Sequence, residues 1–210
     1  SSGGSGNSSD SCESAVPSFL RGEAELTAAV RGTIMHKVME LIPFREDLQE
    51  PEVLKFVESL VEKNILSRRE AETVSAAQIS AFFRTEIGKR ACRADWLKRE
   101  WPFTLKKRRE ELVSEAQDEA AAEMLNRELP PELLIQGIID CCFADAQGIV
   151  IIDYKTDTVD WKRKEAAYEE IRRRYRNQIS IYRDVVKKAF DTDKIEMKIF
   201  LMRTGEMIAL

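Results

Sequence analysis

The stretch that decides the fold is residues 133–155, LLIQGIIDCCFADAQGIVIIDYK. Two apolar runs, 133–143 and 149–154, flank a short turn at residues 144–148 that ends in glycine. Apolar, β-branched runs of this length joined by a short turn are typical of two antiparallel strands. The stretch therefore predicts a β-hairpin whose strands are largely buried.

The chain before the hairpin shows mainly helical spacing. Apolar residues recur at that spacing from about Gly22 until Pro43 ends the run, and a second helix is expected after Pro51. A third helix is expected over Glu70–Phe83, followed by a break at Gly88. This part of the chain therefore predicts a helical layer.

A strand and an insertion are expected between these helices and the hairpin. Trp101, Phe103 and Leu105 alternate with other residues, which predicts a strand over about residues 99–106. Residues 107–131 are polar and rich in alanine and glutamate. We interpret them as an insertion that is partly helical and mobile.

The chain after the hairpin completes the fold prediction. A long amphipathic helix is expected over about Trp161–Phe190, then a strand over Ile195–Met202 that pairs with residues 207–210 through a turn at 204–205. The order helices, strand, hairpin, helix, strands predicts an α/β fold, in which helices flank a small mixed β-sheet.

Length and composition limit the class of protein. The 210 residues fit one domain with a tail: residues 1–19, which open SSGGSGNSSDS, are expected to be a flexible linker or a cloning tail, and residues 20–210 the folded domain. The net charge of −4 excludes a globally basic nucleic-acid binder but not a local basic face. No apolar run approaches the ~18 residues of a membrane span, so no membrane association is expected.

The cysteines predict neither disulfides nor a metal cluster. Cys12, Cys92, Cys141 and Cys142 include no Cys-x-x-Cys pair, so a zinc site is not expected. Because no secretory signal is visible, we expect free thiols and a cytoplasmic location.

Asp140, Asp153 and Lys155 are expected to lie together on the hairpin. Asp153 and Lys155 are two apart, so they share one face of a strand. If residues 146–147 form the loop, Asp140 lies opposite Asp153; if residues 147–148 form it, Asp140 lies opposite Lys155. Either register brings the three side chains together.

Such a cluster favours a metal ion. Two neighbouring carboxylates cannot both stay ionised cheaply; a lysine offsets part of the repulsion and a divalent cation more, and hard oxygen ligands favour magnesium. The alternative is a surface hairpin with a salt bridge. The apolar residues around the acids argue against full exposure.

Further candidates are weaker when each is taken alone. His36 is the only histidine and lies in the first helix, where a lone histidine is more often structural than a ligand. Gln178 and Tyr182 are four apart and share a helix face, as surface polar residues also can. Residues 155–183 hold nine basic and five acidic residues, which is typical of a solvated helix but, beside a metal site, favours a phosphate-bearing substrate.

Four motifs, in this order, resemble those of the RecB-family nucleases of the PD-(D/E)xK superfamily. They are Gly32-x-x-x-His36, Gly137-x-x-Asp140, Asp153-Tyr154-Lys155-Thr156 and Gln178-x-x-x-Tyr182. Within the family, the sequence resembles the AddA-type nuclease domains of bacterial helicase–nucleases, through residues 31–36, 99–103, 136–140 and 152–157. The resemblance covers roughly residues 20–210 and implies a restriction-endonuclease-like α/β core.

Two features found in related helicase–nucleases, an iron–sulfur cluster and an ATP-binding loop, are not expected in this sequence. AddB-type nuclease domains hold an iron–sulfur cluster on four spaced cysteines, a pattern absent here, so no iron–sulfur cluster is expected. No Gly-x-x-x-x-Gly-Lys-Ser/Thr loop is present, so ATP is expected to act only through a helicase part outside this sequence.

The resemblance implies a role for each matching residue. His36, Asp140, Asp153 and the backbone carbonyl of Tyr154 would bind Mg²⁺, with Mn²⁺ as an alternative. Lys155 would orient or deprotonate the attacking water. The other implied contributors are Gln178 and Tyr182, which would line the site, Glu100, which would act through a water, and Lys162, Arg172, Arg173 and Arg176, the basic residues expected to bind DNA.

The implied function is a metal-dependent DNA exonuclease that processes double-strand breaks for recombinational repair. It would degrade single-stranded ends, on the 3′-terminated strand, delivered by an attached helicase and in complex with an AddB-type subunit. The alternatives are a stand-alone restriction-like or junction-resolving nuclease, a catalytically inactive DNA-binding module of the same fold, and a purely structural interaction domain.

Overall fold

A single mixed sheet organises the chain. The structure, a computed structural model, describes residues 26–114, 116, 118–157 and 161–210; the expected linker at 1–19 lies outside this part. Among these residues, five strands follow one another in the order of the sequence, and all neighbours are antiparallel except the parallel pair β3–β4. The strands are β1 (Trp96–Arg108), β2 (Glu132–Asp145), β3 (Gly148–Lys155), β4 (Ile195–Leu201) and β5 (Glu206–Ala209).

The hairpin β2–β3 has the first of the two predicted registers. Asp145 pairs with Gly148, so residues 146–147 form the loop, and Cys141 pairs with Ile152 further along. The Asp145 carboxylate accepts a hydrogen bond from the Gln147 backbone N–H at 2.9 Å. Gly148 has φ +133°, which side chains rarely adopt.

Helices cover both faces of the sheet. Because successive strand residues alternate, Phe143, Ile152 and Tyr154 face one core with the N-terminal helices, whereas Ile151 and Ile199 face another core with the long helix. The helices are α1 (Ala28–Leu41), α2 (Glu50–Glu62), α3 (Arg68–Ala71), α4 (Ala76–Arg84), α5 (Glu86–Cys92), α6 (Arg109–Ser114), α7 (Glu119–Glu128) and α8 (Lys164–Phe190), which follows a 3₁₀ turn at Trp161–Arg163.

Two helix predictions were wrong in their boundaries. The expected helix over Glu70–Phe83 is divided into α3 and α4, because Ser75 caps a new helix by accepting from the Gln78 backbone N–H. Gly88 lies inside α5 and does not break it; a Cβ there would lie 2.1 Å from the Phe82 carbonyl oxygen. Glycine is therefore needed for close packing, and the break falls at Thr85, which ends α4 and caps α5.

The expected insertion also begins later than residue 107. Strand β1 continues to Arg108, and the buried Lys107 forms an ion pair with Asp184 of α8, with 2.8 Å between Nζ and Oδ2. The predicted helical content is present as α6 and α7. Within the described residues, no helix is both long and apolar enough to cross a membrane.

Candidate active site

Most of the predicted site residues converge where β3 ends. Asp140 projects from β2, Asp153 and Lys155 from β3, and Glu100 from β1. Helices pack on both faces of the sheet, and two of them, α1 and α8, add side chains to this cluster. The structure brings together His36 of α1, Glu100, Asp140, Asp153, Tyr154, Lys155, and Gln178 and Tyr182 of α8.

His36 links the helical layer to the sheet. Its Nε2 lies 3.0 Å from the carbonyl oxygen of Tyr154, and its Nδ1 lies 3.5 Å from Asp140 Oδ1 and 4.0 Å from Glu100 Oε1. Since a carbonyl can only accept, Nε2 must carry the proton. In a neutral imidazole, Nδ1 then presents a lone pair to two carboxylates.

The Nδ1 lone pair and the two carboxylates repel one another unless a positive charge lies between them. Burial alone would lower the pKa of His36, but its hydrogen bond to Asp140 and the charges of Asp140, Glu100 and Asp153 outweigh burial and raise the pKa. Without a metal, a second ring proton satisfies the carboxylates; a cation placed between Nδ1 and the carboxylates would satisfy them equally.

Asp140 is held by the hairpin backbone. Its Oδ2 accepts a hydrogen bond from the Tyr154 N–H at 2.7 Å, which leaves Oδ1 on the side of His36. The side chain is 11% exposed. Asp140 therefore presents one fixed oxygen to the space it shares with His36 and Glu100.

Asp153 is the most deeply buried acid of the site, with 2% exposure. Its Oδ2 lies 2.7 Å from Lys155 Nζ, an ion pair without hydrogen-bond geometry, and neither carboxylate oxygen has a hydrogen bond within the described part of the chain. Burial and then the charge of Asp140 raise the pKa of Asp153 to about 6, against the opposing effect of Lys155. A buried carboxylate in this state fits a cation ligand.

Glu100 lies at a distortion of β1. Its φ is +45°, although it is neither glycine nor asparagine, and the pairs on either side of it are Arg99–Cys141 and Trp101–Ile139. Such distortions occur next to active sites, where they re-aim a side chain. Burial and the charge of Asp140 raise the pKa of Glu100.

A chain of hydrogen bonds fixes Lys155. The ammonium donates to Gln178 Oε1 at 3.3 Å, Gln178 Nε2 donates to the Tyr182 hydroxyl at 2.6 Å, and that hydroxyl donates to the Ile138 carbonyl at 2.8 Å. Gln178 and Tyr182 share a face of α8, as their spacing predicts. The amide of Gln178 can thus adopt only one orientation.

Sequence analysis missed two residues beside this chain. Lys155 Nζ lies 4.5 Å from the ring centroid of Tyr175, whose hydroxyl donates to Asp157 at 2.8 Å. Burial and Asp157 raise the pKa of Tyr175 to about 12, so it stays neutral. The signal was present, because Tyr175 precedes Gln178 by three residues and so shares its helix face.

The four basic residues expected to bind DNA lie outside this cluster. Arg172 and Arg176 line a separate groove with Arg183, about 120° around α8 from the face that carries Gln178 and Tyr182. Arg172 donates to the Ala209 carbonyl and pairs with Glu169. Arg173 and Lys162 are exposed.

The residues present fit a divalent cation. One nitrogen of His36 and one carboxylate oxygen each from Glu100 and Asp140 lie within 4.8 Å of one another. Nitrogen and oxygen donors of this kind suit magnesium or manganese. Buried Asp153, whose oxygens have no hydrogen bond within the described residues, adds a further carboxylate beside this group.

The fold and this cluster define a nuclease, and the chain belongs to the PD-(D/E)XK nuclease superfamily, whose family model matches residues 15–208. This confirms the predicted fold and the resemblance drawn from the four motifs. The chain is therefore a nuclease domain of that superfamily.

The chain is also homologous to part of one group of larger proteins. An ATP-dependent helicase/nuclease subunit of Geobacillus thermodenitrificans is 39% identical over 175 residues, which are 82% of this chain and 13% of that protein. The corresponding subunits of Thermoanaerobacter sp. and Geobacillus kaustophilus are 33% and 34% identical, and each match covers 92% of this chain and 15% of the relative. The chain thus spans about a seventh of the length of these curated relatives.

Proposed function

We propose that residues 20–210 form a magnesium-dependent deoxyribonuclease domain that acts as an exonuclease. The observation that carries the proposal is the buried carboxylate of Asp153: it lies beside Asp140 and forms an ion pair with Lys155, and neither oxygen has a hydrogen bond with any residue that the structure describes. A structural ion pair does not need a second, repelling carboxylate. In metal-assisted phosphodiester hydrolysis, two neighbouring acids can hold the cation and a lysine can stabilise the developing negative charge.

His36, Asp140 and Asp153 are the proposed metal ligands. Nδ1 of His36 faces the carboxylates, and its Nε2–H is held by the Tyr154 carbonyl, which fixes the ring as in other metal-binding histidines. A cation at Nδ1 lies on the opposite side of the ring from that carbonyl, so Tyr154 is proposed as a ligand only for an ion that binds at Nε2 in place of this hydrogen bond. Glu100 is proposed to contribute directly or through a water. Bound magnesium, or manganese in its place, supplies a Lewis acid for the phosphate and acidifies a water.

Lys155 is the proposed catalytic cation. Asp153, Gln178 and the Tyr175 ring hold its ammonium in place. From there it orients the attacking water and stabilises the negative charge that develops on the phosphate. Gln178 and Tyr182 position it, because their hydrogen bonds leave the Gln178 oxygen pointing at Nζ.

The names of the relatives suggest the larger setting. They are ATP-dependent helicase/nuclease subunits, so we propose that a helicase motor delivers single-stranded DNA ends to this domain. An AddB-type subunit is the proposed partner, the cytoplasm the proposed location, and recombinational repair of double-strand breaks the proposed process. The basic residues Lys162, Arg172, Arg173 and Arg176 are proposed as a secondary DNA contact.

The test is a single-turnover cleavage assay on end-labelled single-stranded, linear duplex and circular duplex DNA, with magnesium, manganese or a chelator. We expect metal-dependent cleavage of single-stranded ends. Asp140→Asn and Asp153→Asn should each abolish it, whereas Asp95→Asn, which removes an exposed acid elsewhere, should not. Cleavage in chelator, or an unchanged rate in Asp153→Asn, contradicts the proposal; cutting of circular duplex favours the restriction-like alternative.

A further inference from the structure

A small pocket adjoins the metal-binding cluster on the side of α1 and α4. Its volume is about 240 Å³, below the roughly 300–1,000 Å³ of pockets that enclose whole small molecules. A group the size of a phosphodiester fits it better than a free nucleotide does. Its polar lining comes from Arg31, Thr73, Ser75, Gln78, Thr156 and Arg203.

The pocket continues the active-site cleft. Thr156 directly follows Lys155, and Gly32 precedes His36 by four residues, about 6 Å along the axis of α1. A Cβ at Gly32 would lie 3.6 Å from the Thr156 hydroxyl oxygen, so the helix and the end of β3 approach closely there. A polymer held at the metal site would therefore extend past this pocket.

The charge of the pocket is opposite to that of the metal site. Two guanidinium groups, three hydroxyls and one amide line it, and none of the described lining residues is an aspartate or a glutamate. Arg31 and Arg203 are exposed, and Arg31 Nε donates to the Leu26 carbonyl at 3.0 Å, which orients its planar fork. Arginine forks of this kind match the oxygens of a phosphate.

We propose that Arg31 and Arg203 bind one backbone phosphate of the substrate strand, next to the phosphate that is cleaved. The inference rests on the proposed nuclease function and deepens it, because it assigns a subsite that holds the strand in register. Arg31 and Arg203 are positioning residues: they contact the strand but not the reacting atoms. Ser75, Gln78 and Thr156 supply neutral hydrogen bonds to the same phosphate.

The first test measures DNA binding without cleavage. Affinity of the 210-residue chain for a single-stranded oligonucleotide is measured in chelator over a range of salt concentrations. Loss of one phosphate contact should reduce the slope of log K against log salt by about 0.7. We expect this reduction for Arg31→Gln/Arg203→Gln, and no such reduction for Arg45→Gln/Arg127→Gln, which removes two exposed arginines elsewhere.

The second test locates the phosphate. One uncharged methylphosphonate linkage is moved along the oligonucleotide, and binding in chelator and cleavage with magnesium are both measured. The unaltered chain should lose affinity at one linkage beside the cut, the double variant should lose nothing further there, and Arg31→Lys should restore part of the sensitivity. If the double variant has a lowered melting temperature, the single variants Arg31→Gln and Arg203→Gln replace it in both measurements.

The outcomes separate this inference from the proposed function. If the unaltered chain cleaves DNA but its linkage profile and salt slope match those of the double variant, the phosphate subsite is wrong and the nuclease proposal stands. If it loses affinity at one linkage that the double variant does not sense but never cleaves with metal, the nuclease proposal fails, and Arg31 and Arg203 remain a phosphate-binding site with no neighbouring cleaved phosphate. If it binds no DNA, both are wrong.

Discussion

Lys155 is the residue that best separates catalysis from structure. Its ammonium touches Asp153 and Gln178 and lies over Tyr175. We expect Lys155→Ala to reduce single-turnover cleavage by about 10²–10³, because one cation is lost where negative charge grows in the transition state. Metal binding should persist, since the proposed ligands remain. Lys55→Ala, at an exposed position of α2, should cleave normally.

A purely structural salt bridge predicts the opposite pattern for Lys155→Ala. Stability would fall, because buried Asp153 would lose its partner, and hydrolysis per folded molecule would be unchanged. Melting temperature and cleavage measured on one preparation decide between the two. A folded Lys155→Ala protein that cuts at the parent rate would remove Lys155 from the mechanism.

Glu100 illustrates backbone strain at a functional position. Its φ of +45° costs a residue with a side chain about 1–2 kcal/mol, whereas glycine adopts it freely. We expect the free energy of unfolding of Glu100→Gly, measured in urea, to be about 1 kcal/mol higher than that of Glu100→Gln. Both variants lose the carboxylate, so the difference reports the backbone conformation. Both should bind metal more weakly. If Glu100→Gln is the more stable of the two, the strain at this position is not real.

At the scale of elements, the hairpin was predictable and the helical layer only partly so. The apolar runs, the loop and the period of two leave two registers for β2 and β3, and either one places Asp140, Asp153 and Lys155 on one face before any tertiary contact is known. The four motif residues on α1 and α8 could be joined to the hairpin only by resemblance. Local spacing says nothing about which helix packs on which face.

Several features of the molecule depend on tertiary contacts that local sequence patterns do not show. Because glycine weakens helices, its presence at position 88 predicts a break, yet the missing side chain is what lets α5 approach the Phe82 carbonyl. The strained backbone of Glu100 has no sequence signal. The basic residues of α8 show a local positive charge but not which face of the helix points to the site. The packing of α8 is needed to distinguish the face of Arg172 and Arg176 from the face of Gln178.

Gly137 sets the packing of the strand pair β1–β2. A Cβ there would lie 2.6 Å from the Phe103 ring, which in turn packs edge-on against Tyr182 with 5.8 Å between centroids. We expect Gly137→Ala to lower the free energy of unfolding by about 1 kcal/mol, because the half-buried ring of Phe103 must move to admit the methyl group. Because Phe103 contacts Tyr182, cleavage should fall as well.

A double variant checks the cause of this effect. Phe103→Leu combined with Gly137→Ala should recover part of the stability lost by Gly137→Ala alone, since the smaller side chain leaves room for the methyl group. Urea unfolding of the single and double variants measures the coupling. Strictly additive losses would mean that the ring of Phe103 is not what excludes a side chain at position 137.

At the scale of the whole molecule, Arg90 ties the helical layer to the sheet. From α5 it pairs with Asp145 of β2 at 2.7 Å and Glu196 of β4 at 2.9 Å. The guanidinium lowers the pKa of Asp145, and it also lowers that of Glu196 although burial opposes it. A lowered pKa in the folded state stabilises the fold above the ordinary carboxyl pKa of about 4, and this contribution disappears as pH falls below that value.

Arg90→Met should therefore change the pH dependence of stability. Near pH 7, the free energy of unfolding of the unaltered chain should exceed that of Arg90→Met by about 1 kcal/mol, a value reduced for the partial exposure of the pairs. This difference should shrink between about pH 5 and pH 3. Urea unfolding across this range measures it. Arg127→Met, at an exposed position of α7, should show no such trend; a difference that persists undiminished to pH 3 would exclude the carboxylates as its source.

Metal binding should couple the site to the stability of the whole chain. Without metal, burial and the nearby Asp140 charge raise the pKa of Asp153 to about 6, so its ionised form, which predominates near pH 7.5, costs more free energy in the folded chain than in the unfolded chain. Asp153→Asn should therefore raise the melting temperature of the metal-free chain. Magnesium or manganese at about 100 times Kd should stabilise the unaltered chain by about 2.7 kcal/mol, or roughly 5–10 °C, and leave Asp153→Asn nearly unchanged.

Thermal unfolding in chelator and across a metal titration measures both effects on one instrument. Asp95→Asn is the matched control, because it removes an exposed carboxylate and should keep the full metal-dependent gain. A gain retained in Asp153→Asn would place the ion elsewhere, on His36, Glu100 and Asp140 alone. An unaltered chain whose melting temperature stays constant to millimolar metal, and whose metal-free stability does not respond to Asp153→Asn, would mean that Lys155 alone balances the buried carboxylate.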